Sequence, residues 1–371
     1  MKSLQIVEWG KPLEARDYPT PEPKGTEVLL EVTACGVCHS DLHIWQGYFD
    51  LGDGERLRIA DRGMQLPFTL GHETAGRVIA KGPDARGVEI GESRVVYPWI
   101  GCGVCADCKR GEELLCVKPR VIGTWVNGGY ATHVIVPHAR YLVDHGDVPV
   151  EVACTYACSG ITAYSALNRT RITRHEQTLL LIGAGGVGMN GILMAREVLG
   201  CKVIVADVDP AKRKAAMDTG ACDAVFDNGE EGAAEAIRDW SQGGVDAAID
   251  FVGRPVTTRF GMACARIKST RIVVVGLYGD SMKLSVAALP LRLMTLEGSY
   301  VGTLADLHAV MRLAKAGKLP PIAVTGCPLH DANAAMERLT DGKVTGRIVL
   351  KPGLEPARPD TRHEEAREDH R

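Results

Sequence analysis

The sequence has 371 residues, more than one typical domain, and therefore favours a protein of two domains. A formal net charge of −3 argues against a nucleic-acid partner, and no apolar window of about 18 residues predicts a membrane span. The first ten residues contain Lys2 and Glu8 and lack the apolar core of a secretory signal, so we expect a cytoplasmic protein. In a reducing compartment, clustered members of its 12 cysteines are expected to bind metal.

The pattern of apolar runs changes along the chain. Residues 1–150 are rich in short strands, at Val28–Ala34, Gly76–Lys81 and Ser93–Tyr97. Beyond about residue 155, six apolar runs alternate with helical stretches. The runs are Thr178–Ile182, Lys202–Ala206, Ala221–Phe226, Val245–Phe251, Arg271–Gly276 and Met294–Gly298. This alternation predicts an α/β fold with a doubly wound, parallel, six-stranded sheet of the dinucleotide-binding type.

The last part of the chain does not extend this alternation. It contains two amphipathic helices, at Leu304–Ala316 and Asp331–Asp341, and a closing strand at Gly346–Lys351. These elements are predicted to return to the first domain. We therefore expect a discontinuous catalytic domain (residues 1–154 and 298–352), a dinucleotide-binding domain (residues 155–297) and a disordered, charged tail (residues 353–371).

Four cysteines within residues 98–118 form a compact motif with the spacing Cys-x2-Cys-x2-Cys-x7-Cys. They are Cys102, Cys105, Cys108 and Cys116. Four thiolates satisfy a tetrahedral zinc ion completely, which predicts a structural rather than a catalytic site. Iron–sulfur clusters also use four cysteines, usually at other spacings. The motif alone would also suit a small zinc-binding interaction module.

A second set of metal ligands is spread over distant segments. Cys38, His72 and Cys158 would give two thiolates and one imidazole, the three protein ligands that a catalytic zinc with an open position requires. Glu73 would lie beside the ion, and Asp41 is a candidate to fix the tautomer of His72. Spacing alone does not establish this set, because isolated cysteines are commonly small buried residues and a lone histidine is often a satisfied polar group.

A glycine-rich motif follows the predicted strand Thr178–Ile182. Its glycines at the positions of G-x-G-x-x-G permit a tight turn and close approach of a pyrophosphate to the start of a helix. The motif consists of Gly183, Ala184, Gly185, Gly186, Val187 and Gly188. Asp207 ends the next apolar run, where a carboxylate accepts hydrogen bonds from the adenosine ribose and repels a 2′-phosphate. The sequence therefore predicts NAD(H) as cofactor in preference to NADP(H).

Taken together, these motifs resemble the zinc-containing medium-chain alcohol dehydrogenases. The resemblance rests on Cys-Gly-Val-Cys-His-Ser-Asp-Leu-His at 35–43, Gly-His-Glu-Thr-Ala-Gly at 71–76, the four-cysteine motif, Cys-Ser-Gly-Ile-Thr-Ala-Tyr at 158–164 and the glycine-rich motif. Their order and distances fit from about residue 25 to 350. The lengthened segment at 48–66 and Pro98-Trp99 are most similar to the tetrameric archaeal and bacterial members.

The resemblance implies a GroES-like catalytic domain and two zinc ions per subunit. Cys38, His72 and Cys158 would hold the catalytic ion, and the four-cysteine motif the structural one. It further implies that Lys212 contacts the cofactor ribose and Arg347 its pyrophosphate. A small-molecule substrate and a homotetramer are expected on the same ground.

The implied activity is the interconversion of primary or secondary alcohols and aldehydes or ketones by hydride transfer to or from NAD(H). Ser40 would hydrogen-bond the substrate oxygen, and His43, near solvent, would exchange the proton. Trp45 and Trp99 are candidate pocket walls, which would favour medium-chain or aromatic alcohols. The alternatives are a related zinc dehydrogenase acting on a polyol or larger metabolite alcohol, and an inactive zinc- and nucleotide-binding sensor.

Overall fold

The structure, a computed structural model, describes residues 1–354. Most of the segment predicted as a disordered tail, residues 355–371, therefore lies outside the described residues. The described part is a mixed α/β architecture of eighteen strands, eleven α-helices and five short 3₁₀ helices. None of its helices is both long and apolar enough to cross a bilayer.

The strands, in chain order, are β1 (Lys2–Ile6), β2 (Glu14–Asp17), β3 (Val28–Gly36), β4 (Tyr48–Gly52), β5 (Glu55–Arg58), β6 (Phe68–Thr69), β7 (Glu73–Lys81), β8 (Ser93–Val96), β9 (His133–Val136), β10 (Leu142–Val143), β11 (Thr178–Ile182), β12 (Lys202–Ala206), β13 (Ala224–Phe226), β14 (Ala247–Asp250), β15 (Arg271–Val274), β16 (Thr295–Gly298), β17 (Val324–Pro328) and β18 (Arg347–Lys351). The helices are α1 (His39–Gln46), α2 (Ala106–Lys109), α3 (Val150–Ala153), α4 (Ser159–Arg169), α5 (Gly186–Leu199), α6 (Pro210–Asp218), α7 (Ala233–Trp240), α8 (Pro255–Cys264), α9 (Ala288–Arg292), α10 (Leu304–Lys315) and α11 (Ala332–Thr340).

The first sheet joins strands from both ends of the chain. Its order is β10-β8-β7-β3-β18-β17, and β9 also pairs with β3. Strand β18 runs antiparallel to β3, with Val349 opposite Gly36 and Leu350 opposite Cys35. The segment after residue 298 therefore packs onto the N-terminal part of the molecule. The domain boundaries that we drew from the sequence remain predictions.

The second sheet has the order β13-β12-β11-β14-β15-β16, and all its strand pairs are parallel. Its central strand β11 is buried at every residue, because helices cover both faces of the sheet. The strand order reverses between β11 and β14, so a crevice opens beyond their carboxyl ends. The predicted fold class, a doubly wound six-stranded sheet joined to a β-rich domain, is confirmed.

The element bounds differ from the prediction mainly at strand ends. β11 and β12 have the predicted bounds, whereas β13 begins at Ala224 rather than Ala221. There, the Asp223 carboxylate accepts the backbone N–H of Val203 at 2.7 Å and so replaces a ladder bond. Helix α4 and the hairpin β4–β5 are absent from the elements expected from the sequence.

Candidate metal and dinucleotide site

Three ligand side chains from distant segments meet in the core of the first domain. Cys38 is the N-cap of α1, directly after β3; His72 immediately precedes β7; and Cys158 is the N-cap of α4. Their ligand atoms all lie within 4.8 Å of one another, and the two Sγ atoms are 4.0 Å apart. All three residues are buried. Tertiary packing thus brings together the set that the sequence could only suggest.

This cluster suits a zinc ion. Two thiolates in a tetrahedral zinc site are about 3.8 Å apart, close to the observed separation. His72 Nε2 is buried and has no hydrogen-bond partner within residues 1–354, as expected of an atom that binds a metal. Hydrogen bonding from Cys158 holds the pKa of the Cys38 thiol well below its usual value, so the pair readily supplies a thiolate. With three protein ligands, a fourth position is left for another group.

Asp41 orients the imidazole of His72. Its Oδ1 lies 3.1 Å from His72 Nδ1, and both residues are completely buried. A carboxylate can only accept, so Nδ1 donates and Nε2 keeps its lone pair for a metal. With no metal bound, burial opposes the charged form of His72, but Asp41 and the Cys38 thiolate together raise the pKa of the imidazole well above its ordinary value, and a metal at Nε2 would displace that proton. Asp41 Oδ2 also accepts the backbone N–H of Cys38 at 2.9 Å.

Glu73 connects the metal cluster with the start of the dinucleotide-binding helix. Its Oε1 accepts the backbone N–H of Ser159, next to Cys158, at 3.1 Å. Its Oε2 pairs with the guanidinium of Arg347 at 2.5 Å, and both side chains are buried. Burial raises the pKa of Glu73, while Arg347 opposes that rise. The Arg347 side chain also lies against Gly186, where a Cβ would be 2.7 Å from its Cδ.

The four-cysteine motif forms a separate cluster at the surface. Its four sulfur atoms lie within 4.8 Å of one another. Backbone N–H groups of Cys105 and Cys108 point at the sulfurs of the preceding ligands, at 3.4 and 3.5 Å. Backbone N–H groups, chiefly that of Val104 and then that of Cys105, donate to the Cys102 sulfur and lower the pKa of Cys102 to about 6. Four protein ligands leave no position for a substrate, so the geometry suits a structural zinc.

The buried Glu113 connects the four-cysteine motif to the rest of the first domain. Its Oε2 accepts the backbone N–H of Gly101 at 2.8 Å and the hydroxyl of Tyr141 at 2.9 Å. Arg140 pairs with the other oxygen at 2.5 Å. The lobe is therefore fixed at its base as well as through its cysteines.

The glycine-rich motif turns directly from β11 into α5. Gly183 has a φ of +92°, which a residue with a side chain rarely adopts. A Cβ at Gly188 would lie 1.8 Å from the carbonyl oxygen of Gly183, so only glycine fits there. Gly185 is the N-cap of α5, and Gly186 and Val187 form its first turn. This geometry leaves the helix N-terminus free to bind a phosphate.

Asp207 follows β12 at the edge of the same crevice. Its carboxylate accepts the backbone N–H of Ala184 at 2.7 Å and that of Asp209 at 2.9 Å, which fixes its orientation. Lys212 lies in the first turn of α6, with its Nζ 3.9 Å from Asp209. Asp209 itself caps α6 by accepting the N–H of Ala211. The predicted ribose-binding residues thus lie on one side of the glycine-rich turn.

Ser40 and His43 both lie on α1, Ser40 in its first turn and His43 about one turn further on. The ring of His43 packs against His39 and Phe49, with centroid separations of 5.2 and 4.9 Å. We expected this imidazole near solvent; the residue is half-buried, and its Nε2 is buried without a hydrogen-bond partner within residues 1–354. Burial, followed by the charge of His39, lowers the pKa of His43 to about 4, so the ring is neutral at pH 7. At pH 7 the His43 imidazole can therefore accept a proton.

The two predicted pocket tryptophans differ in position. The ring of Trp99 lies 5.5 Å from that of His72, and its Nε1 donates to the carbonyl of Ala157, one residue before Cys158. Trp45 makes no ring contact of this kind in the described structure; its Nε1 donates to the carbonyl of Lys11 at 2.5 Å. The structure thus brings Trp99, but not Trp45, against the metal cluster.

Three further residues of the site escaped the sequence analysis. Tyr300 packs edge-on against Trp99 at 5.7 Å, Tyr130 donates its hydroxyl to Asp41 at 3.0 Å, and Asn190 donates from α5 to Ser159 Oγ at 3.1 Å. None lies within a recognisable motif, and each comes from a segment distant in sequence from its partner. Their positions depend on tertiary packing alone.

Comparison with known proteins supports the same assignment. Residues 24–147 match the family described as alcohol dehydrogenase GroES-like domain, and residues 186–316 match the zinc-binding dehydrogenase family. A protein from Sulfurisphaera tokodaii named NAD-dependent alcohol dehydrogenase is 38% identical over 95% of this chain and 100% of its own length. The chain belongs to the zinc-containing medium-chain alcohol dehydrogenase family.

Solved structures of this family are similar over nearly the whole chain. The alcohol dehydrogenase from Aeropyrum pernix has a TM-score of 0.86 at 28% identity and covers 95% of this chain and 100% of its own. A cobalt- and zinc-bound thermostable alcohol dehydrogenase from Pyrobaculum aerophilum has a TM-score of 0.81 at 25% identity and covers 95% and 99%. The two cysteine-containing clusters of this medium-chain dehydrogenase agree with its assignment to a zinc-binding family.

Proposed function

We propose that this protein is a zinc-dependent oxidoreductase that interconverts alcohols and carbonyl compounds by hydride transfer to or from NAD(H). One observation carries the proposal. The three-ligand cluster, which supplies one ligand fewer than tetrahedral zinc takes, is connected through Glu73 and Arg347 to the glycine-rich start of α5. A substrate held at the cluster would therefore lie beside a dinucleotide in the crevice.

Cys38, His72 and Cys158 would hold the catalytic zinc, and the four-cysteine motif the structural one. Bound there, zinc supplies a Lewis acid that lowers the pKa of a substrate hydroxyl, and NAD supplies the hydride acceptor. Gly183 to Gly188 would cradle the pyrophosphate with Arg347, and Asp207 and Lys212 would bind the adenosine ribose.

Side chains of the protein would then accept and transfer the proton. Ser40, on the same helical turn as Cys38, can accept a hydrogen bond from a substrate hydroxyl and donate its own. His43 lies one turn further along α1 and is neutral at pH 7, because burial lowers its pKa to about 4. A neutral imidazole can accept the proton released during alcohol oxidation and, because its pKa lies below the working pH, pass it on to solvent. Asp41 and Glu73 would position His72 and Arg347 rather than meet the substrate.

Two aromatic side chains near the metal cluster favour an apolar substrate. Trp99 and Tyr300 form an edge-on pair beside His72, and such aromatic surfaces bury apolar groups effectively. We infer a preference for medium-chain or aromatic alcohols over ethanol. A role for Trp45 in the substrate pocket is supported only by its position in the sequence.

We further propose a cytoplasmic homotetramer. Strand β16 is an edge of the second sheet, and three exposed apolar residues, Val286, Leu291 and Leu293, precede it. An edge strand flanked by apolar surface favours pairing with a second copy. Six metal-binding thiols also require a reducing environment. Light scattering after size-exclusion chromatography measures the assembly, and a monomeric mass would refute it.

The experiment that tests the function combines metal analysis with turnover. Purified protein should contain two zinc ions per subunit and form NADH from a panel of primary and secondary alcohols. NADP, polyols and hydroxylated metabolites complete the panel and separate this proposal from a related zinc dehydrogenase with another substrate. Two zinc ions without turnover on any substrate would instead identify a zinc- and nucleotide-binding sensor.

A further inference from the structure

We propose that Tyr130 is a positioning residue for the catalytic metal, acting through Asp41 on His72 and Cys38. The inference rests on the metal site of the proposed function and assigns a role to a residue outside the ligand set. It starts from one hydrogen bond: the Tyr130 hydroxyl donates to Asp41 Oδ2 at 3.0 Å. Both side chains are completely buried, so water does not compete for this bond.

Asp41 is the centre of a network with three donors. Tyr130 and the backbone N–H of Cys38 share its Oδ2, at 3.0 and 2.9 Å, while its Oδ1 faces His72 Nδ1 at 3.1 Å. A buried carboxylate needs such donors, because an unsatisfied charge is costly away from water. Two of the three lie on metal ligands. The third, from Tyr130, is the one that comes from outside the ligand segments and can hold the carboxylate in place.

The ring of Tyr130 makes a second, independent contact with a ligand segment. It packs against Gly71, the residue before His72, where an added Cβ would lie 2.5 Å from the tyrosine Cδ1. The backbone N–H of Tyr130 also donates to the carbonyl of Leu70 at 2.9 Å. The Tyr130 ring therefore contacts the backbone segment that carries His72. The Tyr130 hydroxyl contacts the carboxylate that orients the His72 imidazole.

The ring and the hydroxyl of Tyr130 have separate roles, and a single substitution can distinguish them. Tyr130→Phe keeps the ring against Gly71 but removes the donor to Asp41. The carboxylate then loses one of its restraints, and the imidazole of His72 loses part of its fixed orientation. Partners outside the ligand set commonly change metal affinity by about 10–100-fold, and Tyr130 is one step further out. We therefore expect zinc to leave the three-ligand cluster about 3- to 10-fold faster in Y130F.

The matched control is Tyr97→Phe. Tyr97 is also buried and donates one hydroxyl bond, at 3.0 Å, to the carbonyl of Gly302. Both variants lose a buried hydroxyl donor, so both should lower thermal stability, Y130F more than Y97F because its acceptor is a carboxylate. Only Y130F should accelerate release of the catalytic zinc to a chromophoric chelator. It should also shift the visible absorption of protein carrying cobalt in that site.

A double-mutant comparison tests whether Tyr130 acts through Asp41. In an Asp41→Asn background, Y130F should change the zinc-release rate by less than 2-fold, because the restraint on the carboxylate is already lost. Equal acceleration in wild-type and D41N backgrounds would overturn the proposal, as would a Y130F release rate within 2-fold of wild type. A wild-type protein with only one zinc per subunit would refute the metal site itself, which is a different outcome.

Discussion

The guanidinium of Arg347 lies 2.5 Å from the carboxylate of Glu73, and both side chains are buried. Arg347 begins β18, near the end of the described chain, whereas Glu73 begins β7 beside His72. The pair therefore joins the metal cluster to the wall of the dinucleotide crevice. Removing either partner would leave a buried charge unpaired, which usually costs about 3–5 kcal/mol.

The ligand role of Cys158 can be separated from simple packing. Cys158→Ser should reduce bound zinc from two ions to one per subunit and lower kcat/KM at least about 1000-fold, because Lewis-acid catalysis is lost. Metal analysis and an NADH-coupled assay measure both effects. Cys154→Ser is the control, since Cys154 is equally buried but donates to the carbonyl of Glu151. Loss of zinc from C154S, or full zinc content in C158S, would contradict the assignment.

The four-cysteine lobe should matter for stability more than for chemistry. Cys105→Ser should release one zinc and lower Tm by on the order of 5–10 °C, because metal binding contributes directly to folding. The activity per folded subunit should change less than about 3-fold. Differential scanning calorimetry and zinc analysis provide the test, with Cys222→Ser as a buried cysteine outside both clusters. A C105S protein that stays folded but loses all activity would argue for a catalytic role.

The half-buried imidazole of His43 gives a pH prediction with a definite sign. Burial lowers its pKa to about 4, so between about pH 4 and 6.5 the unfolded chain binds a proton that the folded protein does not. The free energy of unfolding should therefore fall as the pH falls through this window. His43→Gln should make that decline shallower. Denaturant titrations at several pH values compare the two proteins, and parallel curves would show that His43 titrates normally.

The same substitution tests the proton path. His43→Gln should lower kcat for alcohol oxidation about 10-fold at pH 7 and less at pH 9, where hydroxide can take the proton. The KM for NAD should stay nearly constant, since His43 is not predicted to contact the cofactor. A kcat that is unchanged at pH 7 would place the proton path elsewhere.

Asp207 should decide the preference between the two dinucleotides. Asp207→Asn removes the charge that repels a 2′-phosphate, so the ratio of kcat/KM for NADP to that for NAD should rise at least about 10-fold. Asp209→Asn is the matched control, because asparagine caps α6 as well as aspartate does. Steady-state kinetics with both cofactors decide the question. Equal ratios in D207N and wild type would count against this role.

The aromatic wall makes a prediction about substrates. Wild-type protein should have a higher kcat/KM for benzyl alcohol than for ethanol, and Trp99→Ala should reduce that ratio about 10-fold, since an aromatic contact to the ring is lost. Trp240, on α7 of the second domain and partly exposed, supplies the control variant W240A. A clear preference of the wild type for ethanol would refute the proposed pocket.

Local signals in the sequence determined a large part of this structure. The apolar runs at Thr178–Ile182 and Lys202–Ala206 coincide with strands because continuous burial leaves an unbroken pattern. The four-cysteine motif and the glycine-rich turn are also local: their ligands and their tight backbone lie within a few residues of one another. Short-range geometry alone constrains such features.

Tertiary structure decided what spans distant segments. Nothing within the sequence places Tyr130 on Asp41, Tyr300 on Trp99 or Arg347 on Glu73, because each contact depends on how sheets and helices pack. The same holds for the state of His43: its residue type indicates a group that titrates near neutrality, but burial beside His39 and Phe49 keeps it uncharged. Burial and long-range contacts are properties of the folded chain, and they set the chemistry of its side chains.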